Sequence, residues 1–249
     1  MNPAGSPLAA KPARLAGELP AVWRDVLAGA ELLRDLDPGL RDALLAAGCR
    51  RSAARSAVLF SAGEDATHLY LVVSGRIKLL RGNAEGQEVI VRFVAPGESV
   101  GGIAAVPRAR YPVTAEVVEE ADLVAWPREV LFHILARHPQ LSTALLGVVT
   151  QRMAEVQGQL QELATERVAR RVARALLRLA AQLGRKTERG ILIDLALSRQ
   201  NLAELTGTTL YTVSRLLTGW EAEGVLEVGR ERVVIRSPHG LARIAEDLP

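Results

Sequence analysis

Along residues 197–227, LSRQNLAELTGTTLYTVSRLLTGWEAEGVLE, apolar positions recur every three or four residues. Leu202, Leu205, Leu210, Val213, Leu216, Leu217 and Trp220 can therefore face one small core. Ser198 is placed to cap a first helix over residues 199–206, and Thr209 a second over residues 210–223. Gly207 supplies the corner between them because it tolerates positive φ, and Gly224 ends the second helix. The pattern predicts helix, tight turn, helix. Over residues 225–237, VLEVGRERVVIRS, the period changes to that of two short strands joined at Gly229-Arg230-Glu231-Arg232.

Residues 56–126 hold short runs rich in Val, Leu and Ile (VLF, HLYLVVSG, RIKLLRG, EVIVRFVAPG, TAEVVEEADLVAW), broken by turn residues about every ten positions. This spacing predicts an all-β sandwich or jelly roll. Gly75 is expected to end one strand, residues 83–86 to close a hairpin, and Pro96-Gly97 to mark another turn. A short helix follows over residues 129–137, ended by His138-Pro139. From Gln140 onward, with only Gly147 and Gly158 as weak points, Leu146, Val149, Met153, Val156, Leu160 and Leu163 step by three and four residues alternately. That is the a/d spacing of a coiled coil and predicts a dimer seam. The competing reading is one amphipathic helix packed on its own sheet. Some 24 residues of helix would span about 36 Å, enough to hold two subunits and carry a signal between domains.

The polar side of the C-terminal pattern carries the chemistry. Tyr211, Thr212, Ser214 and Arg215 project opposite the apolar face. Arginine can grip guanine through two hydrogen bonds, and a hydroxyl can contact any base. An ordinary helical hairpin would show the same periodicity. The strand pair after it is what a wing would be, with Arg230 and Arg232 at its tip facing phosphate; a solvated basic turn is the alternative. Arg199 and Gln200, opening the first helix, complete the candidate DNA-contacting set.

Composition changes this picture little. The 249 residues suffice for one large or two ordinary domains. No apolar run approaches the roughly 18 residues of a membrane helix. The Pro-, Gly- and Ala-rich start lacks the apolar core of a signal peptide, so residues 1–20 are expected to be a disordered tail and the protein cytoplasmic. The single cysteine, Cys49, excludes an internal disulfide and a four-cysteine metal or iron–sulfur site. Net charge is +3, and residues 165–249 carry 14 Lys+Arg against 10 Asp+Glu, so the basic excess lies in the candidate DNA-binding part. No Ser-His-Asp set, metal-ligand cluster or GxxxxGK[ST] loop appears, so no catalytic or metal-binding residue is assigned and an enzyme is not expected. A ligand-binding subunit acting on a protein partner is opposed by the helix-turn-helix and wing.

Taken in order, LFSAGEDATHLYLVVSGRIKLL, FVAPGESVGG, the helix through QRMAEVQGQL, and LSRQNLAELTGTTLYTVSRLL resemble the Crp/Fnr family of bacterial transcription factors over residues 32–244. Gly63, Leu69, Tyr70, Gly75, Gly97 and Gly101 sit at the family's β-roll glycines and core positions. The resemblance implies an α+β chain: a β-roll or jelly-roll sensor domain with flanking helices (21–138), a dimerisation helix (139–164) and a winged helix-turn-helix domain (165–249). It also implies a homodimer on a double-stranded, pseudo-palindromic site with half-sites about 34 Å apart, and RNA polymerase as a protein partner.

Residue by residue, the match is uneven. The family's recognition motif commonly reads Glu-Thr-(Val/Ile)-(Ser/Gly)-Arg. Here Ser214 and Arg215 match, whereas Tyr211 replaces the glutamate and cannot accept from cytosine as a carboxylate does. Thr208 and Thr209 would meet phosphate near the helix N-terminus. The implied effector pocket comprises Gly101, Gly102, Ile103, Ala104, Tyr111, Pro112, Val156 and Gln157. Members that bind cyclic AMP have glutamate where Gly102 stands, Arg-Ser where Tyr111-Pro112 stand, and Thr-Ser where Val156-Gln157 stand. A buried phosphate without its arginine costs several kcal/mol, so cyclic AMP is not expected. Arg108 or Arg110 would replace that arginine only if the loop alignment slipped. The Val and Ala side chains around residues 103–106 either line an apolar pocket or fill it. A heme or nitric-oxide sensor stays open, with axial-ligand candidates His68 (expected exposed), His133, His138, Met153 and Cys49.

Overall fold

The computed structural model of the chain describes residues 13–15, 20–82 and 88–246. The expected hairpin closure at residues 83–86 and most of the expected tail lie outside them. Of the described residues, those up to 81 together with 91–153 form one compact unit, and 82, 88–90 and 154–246 form the other.

In the first unit, β1 (Ala13–Arg14) pairs with Arg50 and Cys49. This part of the expected disordered tail is therefore an edge strand, because two residues suffice to satisfy the backbone of a neighbouring strand. Helix α1 (Ala21–Gly29) is followed by α2 (Pro38–Ala47), which has the favoured start: Asp37 accepts from the Leu40 N–H at 3.0 Å and Pro38 opens the first turn. Strands β2 (Cys49–Ala53), β3 (Val58–Phe60), β4 (His68–Gly82), β5 (Glu88–Val94), β6 (Ser99–Val100) and β7 (Thr114–Pro127) make one antiparallel sheet. Strand β7 pairs with β2, β3 and β4. Buried Leu69, Leu71, Ile77, Leu123 and Trp126 line its interior, each worth roughly 1.5–3 kcal/mol when removed from water. The Trp126 indole donates to the Leu44 carbonyl at 2.7 Å, so its one polar group is satisfied. The jelly-roll reading stands, with one correction. Gly75 does not end a strand: β4 runs 15 residues through it. Register shifts occur around residues 74–77, and Gly75, at φ 78°, lies so close to the backbone of Glu119 and Glu120 that a Cβ would collide. It is a bulge position, where glycine bends a strand without breaking it.

Helix α3 (Arg128–Arg137) and helix α4 (Gln140–Thr165) follow. The division between the units falls inside α4, after Met153, and not at its ends. The cause is local. Early in α4, Leu141 is buried and Arg152 bonds Glu31 and Glu98 of the first unit. Late in α4, Glu162 pairs with Arg178 at 2.6 Å in the second unit.

The second unit continues with α5 (Val168–Leu183), β8 (Gly184–Thr187), β9 (Gly190–Ile193), α6 (Arg199–Thr206), α7 (Leu210–Ala222), β10 (Leu226–Gly229), β11 (Arg232–Ile235) and α8 (Pro238–Glu246). Its sheet order is β10-β11-β9-β8. Among the described residues no helix is long and apolar enough to cross a membrane.

Candidate nucleic-acid interface and sensor pocket

Helices α6 and α7 begin as the capping residues dictate. The Ser198 hydroxyl accepts from the Asn201 N–H at 3.0 Å while the Asn201 side chain accepts from the Ser198 N–H at 3.2 Å, a reciprocal cap. Gly207 turns the corner at φ 60°. Thr209 Oγ1 accepts from the Thr212 N–H at 3.2 Å and lies 2.9 Å from Thr212 Oγ1. Val213, Leu217 and Trp220 are buried as expected. Leu210 is not: it is 48% exposed. As the first residue of α7 it sits before the helix has reached its core contacts, at the mouth of a cleft rather than under it.

That cleft lies between α6, the start of α7 and the β10–β11 hairpin, and it gathers Arg199, Gln200, Leu210 and Arg230. The Leu197 N–H donates to the Glu231 carbonyl at 3.1 Å, which ties the hairpin tip to the residue preceding the Ser198 cap. Glu231 itself takes φ 53° in the tight turn. Arg199, Tyr211, Arg215, Arg230 and Arg232 are exposed, while Thr208, Thr212 and Ser214 are half-buried. The Gln200 amide is held by Glu204 at 2.7 Å, one turn along its own helix. Of the predicted contact residues, Arg199, Gln200 and Arg230 line this one cleft. Arginines there can meet phosphate or guanine, and the helix can present base-reading side chains.

One residue of this unit was not singled out from the pattern. Arg171 donates to the carbonyls of Glu166 at 3.0 Å, Thr206 at 3.2 Å and Gly207 at 3.3 Å. It joins the end of α4 to the corner of the helix-turn-helix. Nearby, Arg170 and Arg174 donate to the Ala245 carbonyl at the end of α8. A signal for this existed in RVARRVARALLR: arginines crowd the start of α5, where the helix dipole disfavours them. They are there because Glu162 and Glu166 offset their charge (Arg174–Glu166 is 3.1 Å) and because the carbonyls at three helix ends, those of α4, α6 and α8, need donors.

The implied effector pocket is built differently from its expectation. Gly101 takes φ 81° and its Cα lies against the His68 carbonyl. A single turn of 3-10 helix, Gly102–Ala105, follows. Ala104 is buried, but Ile103 and Val106 are exposed, so they do not fill the interior; one turn of helix cannot bury both sides. Pro112 is exposed. Tyr111 is buried and stacks on Phe60 at 3.7 Å between ring centroids, with Tyr70 6.2 Å beyond Phe60. Its hydroxyl accepts from the Thr67 and His68 N–H groups (3.1 and 2.8 Å) and lies 2.8 Å from the His68 carbonyl, to which it donates. Burial, with the Tyr111 phenol beside it, pushes the Tyr70 phenol up to about 12. Arg110 pairs with Asp65 at the surface at 3.5 Å, and Arg108 is exposed. Val156 and Gln157 are exposed positions of α4 in the other unit.

Among the axial-ligand candidates, His68 is half-buried rather than exposed. Its ring stacks 5.7 Å from Tyr70, its Nδ1 lies 2.9 Å from Thr67 Oγ1, and burial, helped by Arg51, holds its pKa below the usual value. His133 is exposed, His138 caps the end of α3, and Cys49 is half-buried in β2. Met153 lies with Leu146, Val149, Val156, Leu160 and Leu163 on one stripe of α4, all 50–66% exposed. None of these six side chains is buried by the chain's own sheet: each keeps half or more of its surface exposed.

Residues 50–138 match the cyclic nucleotide-binding domain family, and residues 170–244 match the Crp-like helix-turn-helix domain family. The chain is 31% identical over 217 residues to the cyclic AMP receptor protein of Thermus thermophilus, covering 87% of this chain and 97% of that protein. It is 32% identical over 193 residues to the nitrogen fixation regulation protein FixK of Azorhizobium caulinodans, 77% of each. Its fold matches a solved CRP-family transcriptional regulator, also from Thermus thermophilus, with a TM-score of 0.68 at 26% identity, over 79% of this chain and 97% of that one.

Proposed function

Because the chain belongs to the Crp/Fnr family of transcription regulators and carries its helix-turn-helix DNA-binding domain, we propose that it acts as a homodimer reading a pseudo-palindromic duplex, under an effector that is neither cyclic AMP nor an iron–sulfur cluster, or under none. The observation that carries the dimer is the α4 stripe. Six large apolar side chains at alternating three- and four-residue steps stand in water in the single chain, and a second copy covers them by a/d packing. Each subunit then offers Arg215 to a guanine of one half-site, with Arg199, Thr208, Thr209, Arg230 and Arg232 on the flanking phosphates. RNA polymerase is the expected protein partner, and no catalytic step is assigned.

Tyr111 supports the reading of the effector. A cyclic nucleotide needs a cation for its phosphate. The position that would supply it holds a buried phenol whose hydroxyl is already bonded to three backbone groups. Gly102 offers no carboxylate to a ribose. These residues do not fit a cyclic nucleotide, although a 31% identical relative is named for cyclic AMP.

Selection of binding sites from random duplexes by purified, effector-free protein tests this. An enriched two-fold palindrome is expected, with affinity unchanged by cyclic AMP. A folded dimer that enriches nothing would remove effector-free action, and heme with nitric oxide would be added next. Val156→Glu with Leu160→Glu is expected to give monomers by light scattering and to weaken site binding by about 10²-fold or more, the loss of linked half-sites. A variant that stays dimeric would overturn the seam.

A further inference from the structure

We propose, on the basis of the DNA-binding reading above, that Leu210 and Tyr211 form an apolar platform that selects a thymine through its 5-methyl group, beside the guanine read by Arg215. Among the described residues after α4, Leu210 and Tyr211 are the large apolar side chains that stand exposed, at 48% and 76%. They are adjacent and open the helix whose N-terminal residues face base edges. Val213, Leu217 and Trp220 complete the core; Tyr211 takes no part in it, and Leu210 lines the cleft beside Leu202 and Leu217 while still 48% exposed.

The rest of the surface narrows what they can read. Residues 210–218 contain no carboxylate, so the strong acceptor for cytosine N4 is missing. Thr209 and Thr212 turn their hydroxyls to each other and to the capping N–H, which occupies them locally. Of residues 210–218, Leu210, Tyr211, Arg215 and Thr218 are exposed and Ser214 is half-buried, and only Leu210 and Tyr211 among these present a large apolar surface. Tyr211 and Arg215 are four residues apart and so lie on one face, about 6 Å along the axis. That is close to two steps of about 3.4 Å along a DNA strand. Only thymine offers an apolar group in the major groove.

The test uses the site enriched by the full-length protein. Each thymine of the half-site is replaced in turn by deoxyuridine, which removes the methyl and nothing else. One position in each half-site is expected to lose binding three- to tenfold, and the double variant Leu210→Ala with Tyr211→Ala is expected to bind the thymine and uracil duplexes equally. Tyr211→Phe is expected to keep the discrimination. Wild-type binding indifferent to every thymine-to-uracil change overturns the proposal while leaving DNA recognition intact. So does a Tyr211→Phe loss as large as that of Tyr211→Ala with a shallower salt dependence, which would make the hydroxyl a phosphate donor. Failure of the folded protein to bind any duplex, both alone and with heme and nitric oxide added, overturns both readings.

Discussion

The recognition helix and the sensor pocket are both sites in which this chain departs from its family's residue pattern, and the departures point in opposite directions. At α7 the substituted position, Tyr211, is 76% exposed and ready to meet a partner. At the β-roll the substituted position, Tyr111, is 3% exposed and already bonded to its own chain. The same residue type replaces a charged family residue in both places. One side chain is left open to solvent, while the other is enclosed by its own chain. Whether a side chain alters recognition or abolishes it depends on which way the backbone aims it, because a buried phenol must find its hydrogen bonds inside and an exposed one finds them in water or in a ligand.

The contrast can be broken experimentally. Tyr111→Ala should have the largest effect on stability, about 3–5 kcal/mol by denaturant unfolding, from the cavity left beside Phe60. The folded fraction should still bind DNA with unchanged affinity. A loss under about 1 kcal/mol would mean that the ring does not seal the site. Arg215→Ala should do the reverse, weakening binding by about 1–3 kcal/mol per half-site while leaving stability within about 0.5 kcal/mol. Unaltered sequence-specific binding would remove Arg215 from the reading surface.

Smaller changes sharpen the same comparison. Tyr111→Phe keeps the ring and leaves two part-buried N–H groups without their acceptor, so about 1 kcal/mol of stability should go. Gly207→Ala forces a Cβ into left-handed backbone beside Leu163, 3.0 Å away, and about 1–2 kcal/mol is expected by the same assay. The smallest effect concerns pH. His68 has its folded pKa lowered by burial, so the unfolded chain takes up its proton first. Its contribution to stability is full above the ordinary value of about 6.5 and declines as pH falls below it. His68→Asn should flatten that part of the profile of melting temperature against pH, and an unchanged slope would place the cause elsewhere.

Much of the C-terminal unit was legible in the chain. Ser198, Gly207, Thr209 and the three- and four-residue steps between Leu202 and Trp220 define both helices to within a residue, because caps and periodicity are local properties. The strand–turn–strand at 225–237 follows for the same reason. Strands β8 and β9 and helices α5 and α8 were not anticipated. Short strands that pair with distant partners, such as Val233 with Ile193, carry little signal in their own few residues.

By itself, then, the sequence determined where α6 and α7 begin and end, that an apolar stripe runs along α4, and that arginine-bearing elements cluster at one end. Only the tertiary structure decided that Gly75 bends a strand instead of ending it, that Leu210 is half exposed, that Arg171 closes three carbonyls, and that Tyr111 is buried with its hydroxyl bonded to its own backbone. The physical reason is common to all four. Each depends on which groups from remote parts of the chain lie within a few ångströms, such as Glu120 for Gly75, Gly207 for Arg171 and His68 for Tyr111. Local propensity governs the first kind of fact, and packing and hydrogen-bond satisfaction govern the second.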